Sequence, residues 1–86
     1  MIDSKKIFSE RLRQVRQEKG LTLEKLGEKI SLGKTAIHNL ENENMPTLPS
    51  FNVLLNLADA LDVSVDFLLG RSDSPKVHKP RKDAPS

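Results

Sequence analysis

Apolar residues recur in this chain at helical spacing, in short blocks separated by turn signals. Ile7, Phe8, Leu12 and Val15 line one side of a helix predicted over residues 4 to 19, with Asp3 or Ser4 placed to cap it and Gly20 to end it. A second helix begins at Thr22, whose hydroxyl suits an N-cap, with Leu21 and Leu26 spaced as a hydrophobic staple and Glu24 at the positive end of the helix dipole. It runs to about Ile30. Ser31-Leu32-Gly33 interrupts the pattern and Lys34 to Asn42 resumes it, which gives a helix, a short turn and a helix. Gly27, inside the second helix, costs about 1 kcal/mol relative to alanine, and this argues for a close approach there by the helix that follows.

Asn42 to Pro49 reads as a loop, with Pro49 and the capping Ser50 opening a fourth helix whose buried stripe is expected to be Phe51, Leu54, Leu55, Ala58 and Leu61. Ser64 caps a short fifth helix, Val63 and Leu68 staple its entry, and Gly70 closes it. Val63 to Phe67 also alternates like a strand, but no second strand exists to pair with it. The expected fold is all-α, a compact five-helix bundle over residues 1–71. From Ser72 to Ser86 three prolines, Lys76, Lys79, Arg81 and Lys82 stand with almost nothing apolar, so 72–86 is expected to be a basic, disordered tail.

The chain has 86 residues, a length that suits one small domain. It has no cysteine, so neither a disulfide nor a thiolate metal site is available, and its two histidines, His38 and His78, lie far apart. The longest apolar runs, Val53-Leu54-Leu55 and Phe67-Leu68-Leu69, fall far below the ~20 residues of a membrane helix or the roughly 7 to 15 of a signal-peptide core, so a cytoplasmic protein is expected. The net charge of +2 is unevenly laid out. Residues 1–38 carry nine Lys or Arg against five Asp or Glu, residues 39–70 carry five acids and no base, and residues 71–86 carry five bases and two acids. A domain divided in this way can turn its basic side to a polyanion.

The third helix sharpens that reading. On a wheel of about 100° per residue, Lys34, His38, Asn42, Thr35 and Asn39 fill one contiguous polar arc, Ala36, Leu40 and Ile37 fill the apolar one, and Glu41 falls on the border. A solvated face is usually rich in Glu, Lys and Arg, whereas this arc holds short donors and acceptors suited to base edges. Asn bridges adenine N6 and N7, Lys donates to guanine, and a Thr methyl packs on thymine. Other chemistries lack partners. Gly33-Lys34-Thr35 resembles the end of a phosphate-binding loop, but position 28, where the first glycine belongs, is Glu. His38 and Glu41 offer two metal ligands without a third, so no metal or cofactor is expected. No Ser/His/Asp grouping or carboxylate pair supports an enzyme. Single-strand or RNA binding is disfavoured because Phe8, Phe51 and Phe67 are all assigned to core stripes.

Arg11 to Gly70 resembles the Cro/repressor-type (XRE-type) helix-turn-helix family, through Arg11-Leu-Arg-Gln-Val-Arg16, Gly20-Leu-Thr-Leu-Glu-Lys-Leu26, Ala36-Ile-His-Asn-Leu-Glu41 and Leu57-Ala-Asp-Ala-Leu-Asp-Val-Ser-Val-Asp-Phe-Leu-Leu-Gly70. The resemblance implies a phage-repressor type of bundle with Lys34 to Leu40 in the recognition helix, which enters the major groove. It implies base contacts from Lys34, Thr35 and Asn39, phosphate contacts from Thr22 and Asn42, and an ion pair between Arg16 and Glu41 behind the binding surface. His38, on the same polar arc, joins the base-facing set, and Asn44 in the following loop joins the phosphate-facing one.

The chain departs from the family at Leu23, where a glutamine commonly reaches phosphate, at Ser31 and Gly33, where a turn glycine and a capping Ser or Thr are usual, and at Glu43, where a turn glycine is typical. The function expected is sequence-specific binding of double-stranded DNA by a transcriptional regulator, a repressor by preference, acting as a homodimer on a palindromic operator with recognition helices about 34 Å apart. The surface expected to join the two copies is Val65, Leu68 and Leu69 of the fifth helix. The alternative is a protein-binding module of the antitoxin or anti-repressor kind.

Overall fold

The computed structural model describes residues 4–74. Its elements are α1 (Ser4–Glu18), α2 (Leu23–Ile30), α3 (Lys34–Glu41), α4 (Phe51–Leu61) and α5 (Val65–Leu68). The predicted helix starts rest on local chemistry that the structure contains. The hydroxyls of Thr22, Ser50 and Ser64 accept from the backbone N–H of Lys25 (3.0 Å), Val53 (3.2 Å) and Phe67 (3.0 Å). At the end of α1 the N–H groups of Gly20 and Leu21 return to the carbonyls of Gln17 and Arg16, which satisfies two carbonyls of the last turn.

The helices contact one another as a closed ring, α1 on α3, α3 on α2, α2 on α4, α4 on α5 and α5 back on α1. Inside it lie Phe8, Leu12, Val15, Leu26, Ile37, Leu40, Leu57, Ala58, Leu61, Val63 and Leu68. Gly70 seals the last joint. Its φ of +79° favours glycine, and a Cβ there would press on the Ile7 side chain of α1.

Three expectations about the apolar residues change. Phe51 is not in the buried stripe of α4 but 74 % exposed, and Leu55 is 39 % exposed. The buried side is Leu57, Ala58 and Leu61, with Leu54 half-buried. Val53 and Leu54 of the same turn do pack against the core, so only the Phe51 and Leu55 side of α4 is left without a neighbour. Phe67 is only partly buried and carries the Arg11 guanidinium on its ring at 4.3 Å, so the aromatic residues are not uniformly core. Leu68, expected at a surface between copies, is fully buried, because the staple with Val63 turns it inward.

The close approach at Gly27 comes from the turn rather than from α3. A Cβ on Gly27 would overlap the Leu32 carbonyl oxygen, and the Leu32 N–H donates to the Gly27 carbonyl at 2.8 Å. Ser31 adopts φ 61°, ψ 38°, the left-handed conformation in which glycine is usual.

At the other end, Arg11 donates to the carbonyls of Phe67 (2.6 Å) and Ser72 (2.7 Å) and pairs with Asp73 at 3.1 Å. Residues 72 and 73, at the start of the expected tail, therefore contact the bundle. The expected disorder of the tail from residue 75 onward, and Asp3 as a cap, lie outside the described residues.

Candidate nucleic-acid interface

Helix α3 has two chemically distinct sides. Ile37, Leu40 and Glu41 are buried, while Lys34, Thr35 and His38 are exposed and Asn39 is half-buried. The structure brings these four side chains to one surface, with Thr22 at the start of α2 exposed as well. Lys34 Nζ lies 3.6 Å from Glu24 Oε1, and both side chains are mostly exposed, so the pair is weak and exchangeable. Asn39 sits at the inner edge of the polar arc, on a pocket of about 240 Å³ shared with Ala36, Leu48 and Pro49.

Asn42 ends α3. Its side-chain oxygen accepts from the Asn44 N–H at 3.0 Å, which leaves the amide NH2 as a donor, and Asn44 is exposed on the turn that follows. The Thr22 hydroxyl accepts from its own helix and retains its O–H proton. Leu23, where a polar anchor is usual in the family, is half-buried and packs on the core.

Arg16 and Glu41 meet behind this surface. Arg16 Nε donates to Oε2 at 2.5 Å and Nη2 to Oε1 at 3.0 Å, and Nη1 donates to the Leu21 carbonyl at 2.7 Å. Their side chains are 12 % and 6 % exposed, so the pair is bidentate and largely out of water.

Three residues escaped the sequence reading. Arg13 is exposed and lines a groove of about 250 Å³ with Arg16, His38 and Asn42, which adds a cation beside the polar arc. Its place one turn before Arg16 was the available signal. Lys5 Nζ donates to the carbonyls of Asn39 (3.3 Å) and Leu40 (3.1 Å), and the fully buried Ser9 donates its hydroxyl to the Leu40 carbonyl at 2.7 Å. Partial burial pushes the Lys5 ammonium below its ordinary pKa. Among the described residues, no group of His, Cys, Asp or Glu is arranged to hold a metal ion, and no helix is long and apolar enough to cross a membrane.

A short helix held by its buried side across a turn from a preceding helix, its other side polar and open, defines the helix-turn-helix class. The family model described as helix-turn-helix matches residues 12–68, and the chain belongs to this family, in its XRE-type branch. It is 39 % identical over 77 residues to YobD, an uncharacterized HTH-type transcriptional regulator of Bacillus subtilis, covering 90 % of this chain and 67 % of YobD. It is 37 % identical over 67 residues to the regulator SinR of Bacillus licheniformis and spans 60 % of that protein. The crystal structure of the P22 c2 repressor with a synthetic operator superposes with a TM-score of 0.69 at 31 % identity, over 76 % of this chain and 96 % of that one. SinR in complex with DNA superposes at 0.65 and 39 %, over 72 % and 97 %.

Proposed function

We propose that this chain is a cytoplasmic transcriptional regulator that binds double-stranded DNA by laying α3 in the major groove, and that it acts as a binding protein rather than an enzyme. The observation that carries this reading is the open polar side of α3, formed by Lys34, Thr35, His38 and Asn39, on a helix whose other side is locked into the core. Lys34, Thr35, His38 and Asn39 meet base edges. Thr22, Asn42 and Asn44 donate to phosphates on either side, joined by Arg13. The N-terminus of α2 adds unpaired N–H groups and a positive dipole end beside Thr22. The absence of a polar side chain at Leu23 weakens one phosphate anchor, which Arg13 partly replaces.

One such helix reads only a few base pairs, so two copies related by a two-fold axis are needed for a specific site. With Leu68 buried, we place the contact between copies at Leu48, Phe51 and Leu55, the exposed large apolar side chains of the described residues, rather than at α5. The same three residues favour a protein partner as the second reading. The SinR protein/SinI protein complex is a solved structure similar in fold, with a TM-score of 0.65 at 39 % identity.

The test is selection of bound genomic fragments, followed by anisotropy titration of the selected duplex. Asn39→Ala is expected to cost about 1 to 3 kcal/mol on that duplex and to relax preference at one base pair. Equal losses on selected and random duplexes would assign Asn39 to the backbone, and selection of no sequence would overturn the reading.

A further inference from the structure

Helix α3 has little support of its own. It spans eight residues, its N-cap Gly33 offers no side-chain hydrogen bond, and a helix this short is marginal in isolation. Its last carbonyls have no partners within the helix, apart from a 3.3 Å bond from the Asn42 N–H to the Asn39 carbonyl. Those carbonyls are instead met by α1. Lys5 reaches the carbonyls of Asn39 and Leu40, Ser9 reaches that of Leu40, and Arg16 holds the Glu41 carboxylate. Residues 5, 9, 12 and 16 fall within an arc of about 60° on α1. One line of side chains thus grips the last turn of α3, with a cation at the negative end of its dipole.

We propose that Lys5 and Ser9 are positioning residues for DNA reading, which set the azimuth and depth of α3 and so the aim of the Asn39 side chain. The inference rests on the reading of Asn39 as a base contact. The Lys5 ammonium is bonded to the backbone of Asn39 itself, and the Ser9 hydroxyl to the next residue, so a shift at either carbonyl is transmitted to the Asn39 Cα without an intervening flexible joint. Ser9 is fully buried and has no exposure from which to touch DNA, so it acts on binding only through the fold.

The two residues act differently on the polyanion. Lys5 brings a charge and so contributes to affinity for any duplex, whereas Ser9 is neutral and contributes only through geometry. Ser9→Ala is therefore the cleaner probe. The ratio of affinity for the selected duplex to that for a random duplex is expected to fall about threefold to tenfold, the scale of one hydrogen bond. Affinity for the random duplex and the slope of log affinity against log salt are expected to stay unchanged. Lys5→Met is expected to lower the ratio similarly while also weakening random binding, and Lys5→Arg to restore random binding.

The deciding measurement is the same ratio in an Asn39→Ala background. If Ser9 acts through Asn39, Ser9→Ala changes nothing further there, whereas an effect carried by the other base-facing side chains of α3 would add to the first loss, and a general loss of stability would lower both affinities equally and leave the ratio as it was. An unchanged ratio for Ser9→Ala and Lys5→Met in a protein that still selects a sequence overturns the positioning role, as does full additivity with Asn39→Ala. A protein that selects no sequence overturns the reading of α3 instead. Should Ser9→Ala fail to fold, Lys5→Met in the two backgrounds decides the question.

Discussion

Replacing Glu41 with Gln tests how the recognition helix is tied to the body of the domain. The carboxylate accepts two hydrogen bonds from Arg16, at 2.5 and 3.0 Å, and both side chains are nearly out of water. Glu41→Gln keeps the shape but leaves the guanidinium without its counter-charge, and breaking a buried pair from one side costs roughly 3 to 5 kcal/mol. An exposed pair would be worth less than about 1 kcal/mol, so burial decides the size of the effect. A domain of this size has a total stability of about 4 to 11 kcal/mol, and each kcal/mol moves Tm by roughly 4 to 8 °C. The variant is thus expected to melt at least about 12 °C lower and to have a population of unfolded chain near room temperature. Arg16→Met is expected to be as severe, because it also strips the Leu21 carbonyl of its donor. The double variant Arg16→Met/Glu41→Gln removes both charges and is expected to lose less stability than the two single variants together. Urea unfolding followed by circular dichroism gives all three values. A loss below about 1 kcal/mol for Glu41→Gln, or a double variant as unstable as the summed singles, would refute the argument from burial.

Gly27→Ala is expected to destabilise by about 1 to 3 kcal/mol in urea unfolding despite its better helix propensity, because the atom in the way is the Leu32 backbone oxygen rather than a side chain that can move. Ser31→Gly is expected to stabilise by about 0.5 to 1 kcal/mol in the same assay, since it relieves a left-handed serine at φ 61°. Phe51→Glu is expected to weaken self-association and operator binding together while leaving helicity intact, and sedimentation at binding concentrations checks it. A chain cut after Ser74 loses Lys76, Lys79, Arg81, Lys82 and Asp83. Its log affinity is expected to fall less steeply with log salt, by roughly one unit for each phosphate no longer neutralised. A cut after Arg71 also takes Ser72 and Asp73 from Arg11, and the difference in Tm between the two cuts reports those bonds.

What was legible in the sequence was local. Thr22, Ser50 and Ser64 could be read as caps because the N–H that each one satisfies lies three residues ahead. The polar arc of α3 was legible because the helix is short and its buried side plainly apolar. Periodicity failed at α4, where Phe51 and Leu55 form one apolar line and Leu54, Leu57 and Leu61 another. The two lines adjoin in one broad apolar arc, and the pattern alone does not say which part of that arc has a neighbour. The Arg16 to Glu41 pairing came from family resemblance, with Glu41 already standing out as an acid at the edge of an apolar face. Lys5 and Ser9 left no such mark. A carboxylate requires a cation, and a search for the complementary residue type can find it. A hydroxyl or an ammonium that ends on a backbone carbonyl, 31 or more residues away, has no complementary residue type, because every residue carries that carbonyl. The side chains that hold the last turn of α3 are therefore visible only in the folded arrangement.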